Sequence, residues 1–204
     1  MPSRNTIRTD LEESYYHVYA RGASRQPVFL DDADYQYFTS LFERYLSREG
    51  KKSKDGFAYP HYRGQVEILA YCLMQNHFHL LIYQVEQGAL SQFMKSLMSS
   101  YSRYFNLRYK RSGSLFENRF KSALISNDTY LMHISRYIHL NPRRWRLYPH
   151  SSIGVYRGRV ECEWLQPARI QCLFSDEASY VAFLADYEDY RESLSVIKSE
   201  QADR

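Results

Sequence analysis

The sequence predicts an α+β domain of ferredoxin-like type, an antiparallel sheet traced β-α-β-β-α-β, with one further helix after the last strand. Three patterns carry that reading. Two β-rich runs, residues 65–72 and 77–84, stand a few residues apart and read as a hairpin. One segment before the hairpin and one after it place apolar residues at helical spacing. A strand-like run precedes the first of these helices, and another follows the second.

Taken in order, residues 15–20 form the first strand, closed by Arg21 and Gly22. Asp31, Asp32 and Asp34 favour a helix N-terminus. Tyr35, Phe38, Leu41, Phe42 and Tyr45 follow at helical spacing, so the first helix runs to about Arg48. Residues 50–64, with Lys51, Lys52, Lys54 and Pro60, read as a loop or hairpin tip. Val66, Ile68 and Leu69 mark the second strand, and His77 opens the third. Gly88 ends that unit. Leu90, Phe93, Met94, Leu97, Met98, Tyr101, Tyr104 and Phe105 then mark a long amphipathic helix, with Ser91 helping to start it. Residues 110–114 form a basic turn, and residues 115–125 read as the fourth strand. Ser126 or Asn127 caps the next helix, which carries Leu131, Ile134, Tyr137 and Ile138. Pro142 disfavours helical geometry in the residue before it, so that helix ends at Asn141. A linker with short elements leads to an acidic helix over residues 175–194.

The 204 residues bound one sizeable domain and an appendage. Three cysteines, an odd number without a CxxC pair, argue against a disulfide framework or a cysteine zinc site. No apolar run is long enough to span a membrane, and residues 1–13 lack the apolar stretch of a signal peptide, so a cytoplasmic location without membrane contact is expected. Charge is unevenly distributed. Residues 95–159 carry 13 Lys and Arg against Glu117 and Asp128, whereas residues 160–204 carry 4 against 10 acids. A basic middle beside an acidic end suggests a polyanion as partner. The 20 tyrosines add faces on which unpaired bases could stack, although most will be ordinary core or surface residues.

The chemistry-bearing residues are His77 and His79 on the third strand. Side chains two apart on a strand share a face, so the two imidazoles form half of a metal site. Tyr137 and Asn141, one helical turn apart, are candidates for the other half. An amide oxygen at Asn141 suits a hard divalent ion. Each residue also has a structural reading: a buried, hydrogen-bonded histidine, a helix cap at Asn141, core packing at Tyr137.

His77-Phe-His79 followed by Tyr137-Ile-His-Leu-Asn141-Pro142 resembles the HUH single-tyrosine transposases, in particular the REP-associated tyrosine transposase branch related to small insertion-sequence transposases. Residues 21–29, 74–79, 114–122 and 148–152 support the resemblance, which spans roughly residues 15–157. It implies that His77, His79 and Asn141 hold a divalent metal ion, Mg or Mn, and that Tyr137 is the nucleophile. It further implies metal-dependent cleavage and strand transfer on single-stranded or hairpin DNA through a 5′-phosphotyrosine. The catalytic domain is then residues 1–159, and residues 160–204 are an acidic helical tail. Arg103, Arg108, Lys110, Arg111, Arg119, Lys121, Arg143 and Arg144 are the expected DNA contacts. Either a monomer or a homodimer is compatible. A binding module without chemistry and a hydrolase that activates water are the competing readings. On the tail, Tyr180, Phe183, Leu184 and Tyr187 form an apolar stripe that needs a surface, with Asp176, Glu177, Asp186, Glu188, Asp189 and Glu192 around it.

Overall fold

The computed structural model describes residues 10–186. Strands β1 (Ser14–Arg21), β2 (Val66–Met74), β3 (His77–Gln84) and β4 (Lys121–Ile125) form one sheet in the order β2-β3-β1-β4. Every neighbouring pair is antiparallel. This is the α+β architecture that the sequence predicts.

Alternation along the strands divides the core in two. Tyr16, Val18, Phe78, Leu80 and Ile82 point to one face, where α1 (Asp32–Leu46) and α2 (Ala89–Arg108) cover them with Phe38, Phe42, Phe93 and Leu97. Ala70, Cys72, Leu81 and Tyr83 point to the other face. There α3 (Asp128–His139) packs Leu131, Ile134, Tyr137 and Ile138 against them. Burying each large apolar side chain contributes roughly 1.5–3 kcal/mol, so both faces hold the sheet.

The helix starts follow local chemistry. The Asp31 carboxylate accepts the Asp34 amide at 3.2 Å, and the Asn127 side chain accepts the Tyr130 amide at 2.8 Å. The start of α2 is Gly88 and not Ser91. Its φ of +82° suits glycine, and the Asp10 carboxylate accepts its amide at 3.0 Å. Two element ends also differ from the expectation. Residues 115–120 do not pair as a strand. Leu115, Phe116 and Phe120 alternate loosely because they are buried against the α1–α2 core, and only Phe116 bridges to Gly22. α3 stops at His139, two residues early. Pro142 has no amide to continue the ladder, and the Asn141 amide turns back to the Ile138 carbonyl at 3.4 Å.

Residues beyond α3 are more than a linker. The Leu73 amide donates to the His150 carbonyl at 2.9 Å, and the Ser152 amide donates to the Tyr71 carbonyl at 3.0 Å, so this segment covers the edge of β2. Short helices α4 (Ile153–Tyr156) and α5 (Ala168–Gln171) follow, then α6 (Glu177–Ala185). α6 docks on α3 through buried Tyr180 and Leu184, and the Arg136 guanidinium sits 4.2 Å from the Phe183 ring centroid. Tyr187, Glu188, Asp189 and Glu192 lie outside the described residues.

A buried polar cluster fastens these layers. His139 Nδ1 lies 2.6 Å from the Tyr180 hydroxyl and Nε2 lies 2.7 Å from Ser152 Oγ, which also accepts the Tyr71 amide at 2.9 Å. Burial lowers the His139 pKa to about 3, so the ring is neutral. An unfolded histidine near 6.5 binds a proton that the folded one refuses. The stability this ring contributes is therefore complete above pH 6.5 and falls as the pH drops toward 3. Urea unfolding across that range should show this decline, and His139→Gln should flatten it. His139→Phe should cost roughly 1–3 kcal/mol for each buried partner left unpaired.

Candidate metal and nucleophile site

The β1–β3 ladder sets Tyr19 opposite His79 and Arg21 opposite His77. Residues directly opposite share a face. His17, Tyr19, Arg21, His77 and His79 therefore gather on the α3 side, where β1 and β2 end and β3 and β4 begin. On β4, Lys121 stands opposite Tyr19. α3 closes this face and brings in Tyr137, whose ring centroid is 5.2 Å from that of His79, edge-on at 80°. The His77 and His79 rings are 5.1 Å apart at 83°. The Asn141 side chain lies close enough to His77 and Tyr137 to act on both, raising the pKa of the first and lowering that of the second. Within one chain, the fold thus brings together all four residues singled out as metal and nucleophile candidates. Asn141 differs in one respect, since it reaches them from just past the helix and not from its last turn.

The imidazoles are neutral. Burial, with Arg21 nearby, lowers the His77 pKa to about 4, against a raising contact from Asn141. Burial, then the neighbouring His17 and His77, pushes His79 well below its usual value. Neutral imidazole is the form that ligates metal. The tautomers fit as well. His77 Nδ1 lies 2.6 Å from the Asn76 side-chain oxygen, which can only accept, so Nδ1 carries the proton and Nε2 keeps its lone pair. His79 Nδ1 lies 3.0 Å from His17 Nε2. A proton on that Nδ1, donated to His17, leaves the His79 Nε2 lone pair as the ligand.

No group of three or more His, Cys, Asp or Glu among the described residues is arranged to hold a metal. A third protein ligand would have to be a neutral oxygen, and Asn141 is the one in contact. Two imidazoles and an amide oxygen suit a divalent ion that fills its other positions with water or substrate oxygen. Tyr137 is buried at 7% exposure, and burial pushes its phenol up to about 12, with Asn141 and Arg21 acting in the opposite direction. His133, one turn earlier, lies 2.9 Å from Arg136 Nη2 and near Phe183, so it faces α6.

His17 was not singled out from the sequence, and Arg21 was read only as a strand end and as part of the supporting stretch 21–29. Tyr15, His17, Tyr19 and Arg21 share one parity along β1, a visible signal, but only the register against β3 reveals which residues they meet. Of the basic candidates, Arg143 and Arg144 are exposed just past Asn141, and Arg119 is exposed between Glu117 and β4. Arg103 and Lys110 are exposed, and Arg111 lies 5.7 Å from the Phe105 ring centroid. Two candidates are placed differently from the rest. Lys121 is buried on the sheet face beside Tyr19. Arg108 donates to Asp31 at 2.6 and 2.9 Å and to buried Asp34 at 2.8 Å, so its charge is already balanced by two carboxylates.

A family model described as "Transposase IS200 like" matches residues 10–141. Among solved structures, the fold is similar to that of a REP-associated tyrosine transposase bound to a REP hairpin. Identity is 16%, the TM-score is 0.56, and the match covers 81% of this chain and 92% of that one. A Deinococcus radiodurans R1 protein described as a transposase is similar at 17% identity over 68% of this chain and 95% of that one. Its TM-score of 0.40 is too low to bear on the fold. No curated protein matches. The stretch matched by the family model is well over half of the chain and includes His77, His79, Tyr137 and Asn141, and the chain belongs to the IS200-like transposase family.

Proposed function

We propose that this transposase cuts and rejoins single-stranded DNA through Tyr137, on a hairpin-bearing substrate. The observation that carries the reading is the Tyr137 ring edge-on to His79, itself 5.1 Å from the His77 ring, with the Asn141 side chain close enough to act on both the phenol and His77. A structural core tyrosine has no need of two neutral histidines beside it.

Tyr137 Oη attacks the backbone phosphorus. The Oη–P bond forms and the P–O3′ bond breaks, giving a 5′-phosphotyrosine and a 3′-OH. The phenol proton passes to water, and the leaving 3′ oxygen takes one up. Because the phosphodiester is exchanged and not hydrolysed, rejoining needs no nucleotide. A divalent ion, Mg or Mn, held by His77, His79 and Asn141 would supply Lewis-acid polarisation of the phosphoryl oxygens. Ionising a phenol with a pKa of about 12 at pH 7 costs on the order of 7 kcal/mol. A hydrogen bond that Asn141 could give the phenolate would return only a small part of that. Positive charge at the site is therefore a requirement of the chemistry.

Incubation with hairpin DNA carrying a single-stranded flank, in Mn²⁺, should yield a denaturant-resistant protein–DNA adduct. Tyr137→Phe should abolish it, while Tyr19→Phe, on the same sheet face, should retain it. An adduct that survives Tyr137→Phe would move the nucleophile elsewhere. Cleavage without any adduct would favour water as the attacking group.

His77→Ala and His79→Ala should each abolish cleavage and weaken Mn²⁺ binding in calorimetry. Asn141→Ala should do less, since water can replace a neutral oxygen. His17→Phe should weaken Mn²⁺ binding by roughly 10-fold or more through its hold on His79. Unchanged affinity in the double histidine variant would remove the metal site from the account.

Arg143→Gln with Arg144→Gln should weaken DNA binding for all sequences alike and flatten its salt dependence. Arg108→Gln should instead lower the melting temperature and leave DNA affinity in place. An equal loss of affinity in the two cases would place Arg108 on the DNA.

A further inference from the structure

We propose that Arg21 is the residue that grips the non-bridging oxygens of the scissile phosphate. The proposal rests on the reading of Tyr137 as nucleophile. Arg21 is the last residue of β1 and the ladder partner of His77, so its side chain leaves the sheet on the face that holds the histidines and Tyr137.

Its backbone is held on both sides. The Arg21 carbonyl accepts the Glu117 amide at 2.9 Å, and the next residue, Gly22, donates to the Asn76 carbonyl at 2.8 Å. A Cβ at Gly22 would stand 2.1 Å from the Gln26 carbonyl oxygen, so the chain can turn there only with glycine. This turn fixes the backbone from which the Arg21 side chain leaves, beside the hairpin that carries His77.

The side chain is half-buried and forms no ion pair with a carboxylate among the described residues. Arg108 and Arg169 contrast with it, since both are neutralised by acids. A half-buried guanidinium without an anion among the described residues is set up to receive one. Its planar fork matches two phosphoryl oxygens. Arg21 also acts electrostatically on His77, His79 and Tyr137, which places its charge within reach of all three. Held there, it would stabilise charge on the oxygens as the Oη–P bond forms and the P–O3′ bond breaks, without itself exchanging a proton.

The test uses the full chain with Arg21→Gln and Arg21→Lys. The hairpin DNA carries either a phosphate or one stereoisomer of an uncharged methylphosphonate at the cleaved linkage. On phosphate, Arg21→Gln should slow adduct formation by about 100-fold or more, the loss seen when one fixed donor to a developing oxyanion is removed. Arg21→Lys should recover part of the rate, since it restores the charge but not the fork. On each methylphosphonate stereoisomer, which lacks one of the two gripped oxygens and the negative charge, the Arg21→Gln loss should shrink to well below its size on phosphate. Mn²⁺ affinity and melting temperature should match the wild type. An Arg21→Gln loss of equal size on phosphate and both stereoisomers would overturn the assignment. So would a parallel loss of Mn²⁺ affinity or of folding in both variants, which would make Arg21 structural. If wild type itself forms no adduct, the Tyr137 reading fails and Arg21 falls with it. If wild type and Arg21→Gln react alike on phosphate, only the Arg21 assignment fails.

Discussion

The site depends on one antiparallel pairing, that of β1 with β3. Because Tyr19 stands opposite His79 and Arg21 opposite His77, polar groups from two strands project from one patch of sheet. A slip of one residue would turn each set to the opposite face, into the α1–α2 core. The register is protected by what lies on that other face. Tyr16, Val18, Phe78, Leu80 and Ile82 are essentially fully buried under α1 and α2, and a slip would expose them. Function on one face is thus fixed by apolar burial on the other.

A second constraint is the seat of α3. Tyr137 reaches the histidines only if the helix lies across the sheet at one height and rotation. Leu131, Ile134 and Ile138 set its rotation against Ala70, Cys72 and Leu81. His139 sets its height, through Tyr180 on α6 and Ser152 on the strap along β2. The segments after α3 therefore bear on the candidate site indirectly, by holding the helix of the proposed nucleophile. Burial keeps the imidazoles neutral and fit for a metal, but it also raises the phenol pKa, so the same packing that prepares the proposed ligands makes the proposed nucleophile reluctant. In the proposed reaction, cationic charge from Arg21 and from a bound divalent ion would answer that conflict.

Much of this was legible in the sequence. The span of β3 and the shared face of His77 and His79 follow from alternation alone, because a period of two needs no tertiary information. The helices α1, α2 and α3 follow from their apolar stripes. Asn141 was legible as a candidate but not in its setting, because proline stops α3 two residues sooner than the pattern suggests. His17 and Arg21 were not legible as site residues. A lone histidine in an apolar strand and an arginine at a strand end are commonplace, and only the β1–β3 register makes them neighbours of His79 and His77. Arg108 shows the reverse. Its charge looked available for phosphate, yet Asp31 and Asp34, more than 70 positions away in the chain, take it up.

The central claim is that the paired histidines, Asn141 and the phenol form one centre around a divalent ion. Its most direct measurement is anomalous diffraction from crystals of the full chain grown with Mn²⁺. The account predicts one strong peak in bonding contact with Nε2 of His77 and of His79, with the Asn141 side-chain oxygen adjoining it and the Tyr137 hydroxyl nearby. A peak elsewhere in the chain, or a histidine pair left without metal at saturating Mn²⁺, would contradict it.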